Sequence, residues 1–163
     1  MSKLSGIEKV AEFMQMSKQT INSSPCLVDR ELAELRFKLI REENSELLQA
    51  VEADDLVEVL DALVDLQYVL YGAVLTFGMQ HIWKQAFEEV HINNMTKGCK
   101  SIEEADATIE FYSKQGISVF AEKVGDLYVV YRTSDKKVMK SIDYIKVSLS
   151  KFIPDVTSNK STR

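Results

Sequence analysis

From Leu4 to Asn94 the apolar residues recur at three- and four-residue steps, the spacing of helices that pack through one face. Leu4, Ile7, Val10, Ala11 and Met14 predict a first helix over about Lys3 to Lys18. INSSPCLVD is turn-rich and reads as a loop, with Asp29 placed to cap the next helix. Leu32, Leu35, Leu39 and Leu47 carry a second helix from Arg30 to about Glu52. The tract EADD interrupts it, and Asp54 or Asp55 caps a third helix that runs to about Phe77 and stops at Gly78. A fourth helix is expected from Gln80 to Asn94.

Beyond that point the period changes. Ser101 followed by Glu104 resembles a capping box and opens a short helix to about Gln115. After Gly116 come ISVFAEKV, a turn at Gly125-Asp126, LYVVYRT, a turn at Ser134-Asp135, and KVMKSI, which predict a meander of three short strands. The expected fold is therefore mainly α: a four-helix core over residues 1–98 and a small C-terminal α+β extension of the same domain over residues 99–156. The polar tail TSNKSTR, residues 157–163, is expected to be disordered.

Composition narrows the function classes. A chain of 163 residues with a net charge of −5 has the length of one domain and an acidic excess. That excess argues against a nucleic-acid partner held through phosphates and favours divalent cations. MSKLSGIEKVAEFM is amphipathic rather than a signal sequence, and no segment is expected to span a bilayer, so no membrane partner is expected. Cys26 and Cys99 lack zinc-site spacing and read as reduced thiols of a cytoplasmic protein.

The stretch REENSELLQAVEADDLVEVLDALVD, from Arg41 to Asp65, holds nine carboxylates against one positive charge, yet it is threaded with Leu, Val and Ala. At about 100° per residue, Glu43 and Glu46 fall inside the apolar arc of the second helix and Glu42 at its border. On the third helix, Glu58, Asp61 and Asp65 project within about 60° of one another. Two antiparallel helices would thus turn carboxylates toward each other, on sides where they are not fully solvated. Such a gathering needs compensation, because desolvation and mutual repulsion would otherwise neutralise part of it. Hard divalent cations, Mg²⁺ with Mn²⁺ as a substitute, suit carboxylate oxygens. A di-iron centre would need Glu-x-x-His motifs, and neither helix contains a histidine.

Three ordered segments then carry a resemblance: LRFKLIREENSEL, DLVEVLDALVDLQYVLYGAVLTFG and FEEVHINNMTK. With Glu42-Glu43-x-x-Glu46 followed by Glu58-x-x-Asp61, the chain resembles the MazG-like, all-α nucleoside triphosphate pyrophosphatases, in the branch similar to phosphoribosyl-ATP pyrophosphohydrolase and related to dimeric dUTPases. The resemblance covers about Leu35 to Lys97. It implies Mg²⁺-dependent hydrolysis of a nucleoside triphosphate to the monophosphate and pyrophosphate, as in cleansing of dUTP or non-standard nucleotides. It places Glu42, Glu43, Glu46, Glu58 and Asp61 around two or three Mg²⁺ ions, with Glu43 orienting or deprotonating the attacking water and Glu42 as the other candidate for that role. Asp65 is left as a ligand or a supporting group. Asn94 and Lys97 would contact the nucleotide substrate, and a homodimer or homotetramer would complete the site.

The alternatives are phosphoribosyl-ATP hydrolysis in histidine biosynthesis, ranked lower, and a non-catalytic metal-binding helical dimer whose meander binds a partner. Arg36 is expected to pair with a carboxylate. His91 is read as packed or hydrogen-bonded, and Tyr68, Tyr71 and Trp83 as core or interface aromatics. Base preference is not legible.

Overall fold

The structure is a computed structural model that describes residues 4–153. The expected disordered tail lies outside the described residues. Among the described residues five α-helices and one two-stranded antiparallel sheet confirm a mainly α chain with a small β extension. The helices are α1 (Gly6–Met16), α2 (Arg30–Glu52), α3 (Leu56–Thr76), α4 (Trp83–Met95) and α5 (Ile102–Ser113); the strands are β1 (Val119–Val124) and β2 (Leu127–Arg132). The chain forms two compact units, with the division between Lys84 and Gln85 in the first turn of α4.

In the first unit, α3 packs on both α1 and α2. Local chemistry sets the ends of α2 and α3 where the sequence places them. Asp29 accepts from the Leu32 amide at 2.9 Å. Asp55, rather than Asp54, caps α3 by accepting from the amides of Val57 and Glu58 at 3.0 and 3.2 Å. Asp54 instead takes a left-handed conformation, φ +54°, which makes the turn between the two helices tight. Val10, Met14 and Leu75 form a buried cluster, with Ile7, Ala11, Ile21 and Tyr71 packed against it.

The loop after α1 fastens the C-terminus of α3, whose last carbonyls have no intrahelical partners. The Asn22 amide donates to Leu75 O at 3.1 Å, the Asn22 side chain to Thr76 O at 2.6 Å, and the Cys26 amide to Phe77 O at 3.1 Å. Gly78 follows at φ +68°, and a Cβ there would lie 2.0 Å from Ser24 O, so only glycine fits.

α3 corrects one expectation. By length and composition it is apolar enough to cross a bilayer. Asp61 and Asp65 in its middle are the kind of side chain that is costly in lipid, and its apolarity serves two packed neighbours and an uncovered strip described below.

The second unit, Gln85–Phe152, has its own buried cluster of Cys99, Ala105 and Val130 under α5 and the sheet. β1 and β2 pair from Val119↔Arg132 to Val124↔Leu127, closed by Gly125-Asp126 with Gly125 at φ +60°. The expected third strand, KVMKSI, is reduced to one bridge, Val138 to Tyr131. The Met139 amide still donates to Val130 O at 2.8 Å, but further on amides turn to side chains: the Ile142 amide to Thr108 Oγ1 at 3.2 Å and the Asp143 amide to Ser141 Oγ at 2.9 Å. Ser141 itself donates to Glu104 on α5, so the segment follows the helix instead of extending the sheet. Glu104 also closes a modified capping box: Ser101 Oγ accepts from the Glu104 amide, while the Glu104 carboxylate accepts from the amide of Lys100 rather than that of Ser101.

Candidate functional site

α2 and α3 run antiparallel, since the Asp54 turn joins their ends and Arg36 near the start of α2 bonds Thr76 at the end of α3. Toward the turn they open into a groove of about 470 Å³. Glu46 lines it from α2, and Asp55, Glu58 and Asp61 line it from α3 and its cap. Buried Ala50 and Ala62 also line it, and their short side chains leave the crossing open. Among the described residues no Lys or Arg lines the groove.

Glu43 stands one turn before Glu46 and is half-buried. Burial first, then the charges of Glu46, Asp65, Glu42 and Asp61, push its carboxyl above the ordinary glutamate value. The helix pair therefore brings Glu42, Glu46, Asp61 and Asp65 within electrostatic reach of Glu43. The depth expected for them is corrected: Glu42, Glu46, Glu58, Asp61 and Asp65 are all exposed. A helical wheel reports which neighbour a residue faces, and the small residues at this crossing keep that face wet.

Among the described residues no acid from Glu42 to Asp65 forms an ion pair. Nor do three metal-ligating side chains already converge on one point. The donor set fits a hard divalent cation in charge and in atom type, with oxygen throughout and no competing cation. Its side chains must turn inward to hold one. Asp55 lines the groove without having been singled out as a site residue; its Oδ1 is spent on the α3 cap. Gln49 is a second unassigned lining residue, with no sequence signal beyond its place one turn after Glu46.

Asn94 and Lys97 belong to the second unit, at the end of α4. Asn94 is exposed and makes no side-chain hydrogen bond among the described residues, while the Lys97 amide donates to Asn94 O at 3.2 Å. The neighbouring Asn93 is the engaged amide, accepting from the Tyr144 hydroxyl and donating to Ile145 O. His91 is exposed rather than packed. Tyr71 packs against the first core, and Tyr68 meets Phe13 edge-on with ring centroids 5.9 Å apart. Arg36 departs from expectation most: it is buried but pairs with no carboxylate among the described residues, donating instead to Thr76 Oγ1 at 2.8 Å and Gln19 Oε1 at 2.9 Å.

Comparison with known proteins matches residues 10–94, which span most of α1 and α4 and all of α2 and α3, to the model of the phosphoribosyl-ATP pyrophosphohydrolase family. A curated relative, uncharacterized protein L479 of Acanthamoeba polyphaga mimivirus, is 32% identical over 94 residues, 58% of this chain. The chain spans only 37% of that relative's length.

Proposed function

This chain belongs to the phosphoribosyl-ATP pyrophosphohydrolase family, within the MazG-like all-α superfamily, and on that premise we propose that it hydrolyses a nucleoside triphosphate to the monophosphate and pyrophosphate. The observation that carries the reading is the α2–α3 groove, which gathers carboxylates from both helices with no basic side chain among its described lining residues. A triphosphate repels such a surface unless cations stand between. Glu42, Glu43, Glu46, Glu58 and Asp61 supply the oxygens for Mg²⁺, or Mn²⁺ in its place; such ions neutralise charge at the phosphates and lower the pKa of a bound water.

Glu43 is the residue for the water. It is the half-buried member of the set, one turn before Glu46 on the groove side of α2, so a carboxylate there is shielded from bulk water. Asp65 faces Glu43 from α3 and stands as a further ligand or supporting group. Asn94 and Lys97 carry an amide and an ammonium suited to a sugar or base and to a phosphate oxygen.

Phosphoribosyl-ATP stands level with ordinary nucleoside triphosphates as the substrate. The family match names it, and the lower rank given to it from sequence gains no support there. A second copy of the chain is the proposed partner. Leu56, Leu60 and Leu63 follow one face of α3 at helical spacing and are 81%, 64% and 48% exposed, with Val57 and Val64 beside them. Such a strip is the seam of a helix bundle.

Incubation with a panel of NTPs, dNTPs and phosphoribosyl-ATP, with and without Mg²⁺, tests the activity. Pyrophosphate and a monophosphate product are expected only with Mg²⁺. Orthophosphate with a diphosphate product would refute the assignment.

A further inference from the structure

Arg36 is 5% exposed, and among the described residues its charge has no counter-ion. Two of its nitrogens have neutral partners, Nε with Thr76 Oγ1 and Nη2 with Gln19 Oε1. The Gln19 amide is held in that sense because its Nε2 donates to Ser17 Oγ at 3.0 Å. Nη1 has no acceptor among the described residues. A guanidinium does not lose its proton at ordinary pH, so the cost of burying it is offset only in part.

Beside the guanidinium lies a pocket of about 220 Å³, walled by Phe13, Leu39, Tyr68 and Val69 and bordered by Gly72. A Cβ on Gly72 would come within 3.3 Å of Nη1, so the missing side chain is what opens that nitrogen to the pocket. An apolar cavity with a few convergent donors is the usual form of a small-molecule site, and this one is below the size that buries a drug-like ligand, fit for one ring system.

The pocket lies on the same α2–α3 seam as the acidic groove. On α2, Arg36, Leu39, Glu43 and Glu46 fall within about 80° of one another around the axis. On α3, Gly72, Val69, Tyr68, Asp65 and Asp61 fall within about 100°. Seven residues separate Arg36 from Glu43 and Asp65 from Gly72, about 10 Å along each helix. Glu46 and Asp61, which line the groove, stand about 15 Å along the helices from Arg36 and Gly72, so the α2–α3 seam has carboxylates at one end and an apolar, arginine-sided recess at the other, within the reach of a nucleoside triphosphate.

We propose that this recess takes the base of the nucleotide, with an oxo group of the base accepting from Arg36 Nη1 and the ring set against Tyr68 and Phe13. The assignment rests on the α2–α3 groove being the phosphate end. The apolar walls favour a neutral ring over a free anion. A donor-only nitrogen discriminates by edge chemistry: a carbonyl satisfies it, whereas the amino group of adenine sets donor against donor and leaves only a ring nitrogen to accept, so the recess favours an oxo base over the adenine of phosphoribosyl-ATP.

Titration of the full chain in the presence of Mg²⁺, using UMP, GMP, AMP and inorganic phosphate, tests this through the ¹⁵N signal of the Arg36 Nε–H. UMP or GMP should move that signal and bind about tenfold more tightly than AMP, and Gly72→Ala should remove about tenfold of that affinity. Val69→Phe, which fills the recess from α3, should do the same, with helical circular dichroism unchanged in both. An unmoved signal, equal binding of AMP and UMP, or a response to inorganic phosphate alone would overturn the proposal. No turnover is involved, so loss of hydrolysis with intact UMP binding counts against the pyrophosphohydrolase reading and not against the recess.

Discussion

Arg36 Nε donates to Thr76 Oγ1 at 2.8 Å, tying the first half of α2 to the last residue of α3. Thr76 is fully buried and its own hydroxyl reaches back to Thr20 O, so one side chain joins α2, α3 and the loop after α1. Thr76→Val keeps the shape and leaves the Arg36 donor without an acceptor. The expected cost is about 1–3 kcal/mol in urea unfolding. A variant as stable as the parent would show that the bond contributes nothing.

Glu43 makes stability depend on pH in a direction set by its environment. Its carboxyl is raised by burial and by the neighbouring acids, so the folded chain holds that proton more tightly than the unfolded chain. Ionising it therefore subtracts stability. The penalty is absent below the ordinary glutamate value and grows as pH rises from there through the raised, folded value. In metal-free protein, Glu43→Gln should melt higher than the parent at neutral pH, and the difference should close on acidification. A neutral-pH melting temperature below that of the parent would contradict the account.

Cation binding should appear as stability. If Mg²⁺ holds the groove acids only in the folded chain, a hundredfold excess over Kd adds about 2.7 kcal/mol. Glu46→Gln and Asp61→Asn, both exposed in the metal-free groove, should leave metal-free stability little changed while removing the increment. Equal Mg²⁺ stabilisation of parent and variants would move the cation site elsewhere.

The uncovered strip of α3 gives a prediction about mass. Leu60→Glu places a charge in the proposed seam, and light scattering should then report a monomer where the parent is a dimer or tetramer. A parent that is already monomeric at micromolar concentration would remove the second copy from the account.

Much of the first unit was legible because local chemistry decides it. α2 begins and ends where Asp29 and the EADD tract put it, and α3 stops at Gly78 because that position needs φ +68° and has no room for a Cβ. Depth was not legible. Periodicity turned Glu46, Glu58 and Asp61 toward one groove, but Ala50 and Ala62 on both sides of the crossing keep it open to water. Partners supplied by irregular chain were missed as well. Gln19 reaches Arg36 from a loop, and Thr108 and Ser141 take the amides that a third strand would have used. The family resemblance was carried by ordered motifs on helices, which is why it held where contact-level expectations did not.

The central claim is that the acids of the α2–α3 groove cleave the bond between the α and β phosphates. The most direct measurement is ³¹P NMR of the products formed by the parent and by Asp61→Asn on the same Mg²⁺–nucleotide mixture. Pyrophosphate and nucleoside monophosphate from the parent, with at least about a hundredfold loss in the variant, is the predicted result. Orthophosphate from the parent, or undiminished pyrophosphate release by the variant, would contradict it.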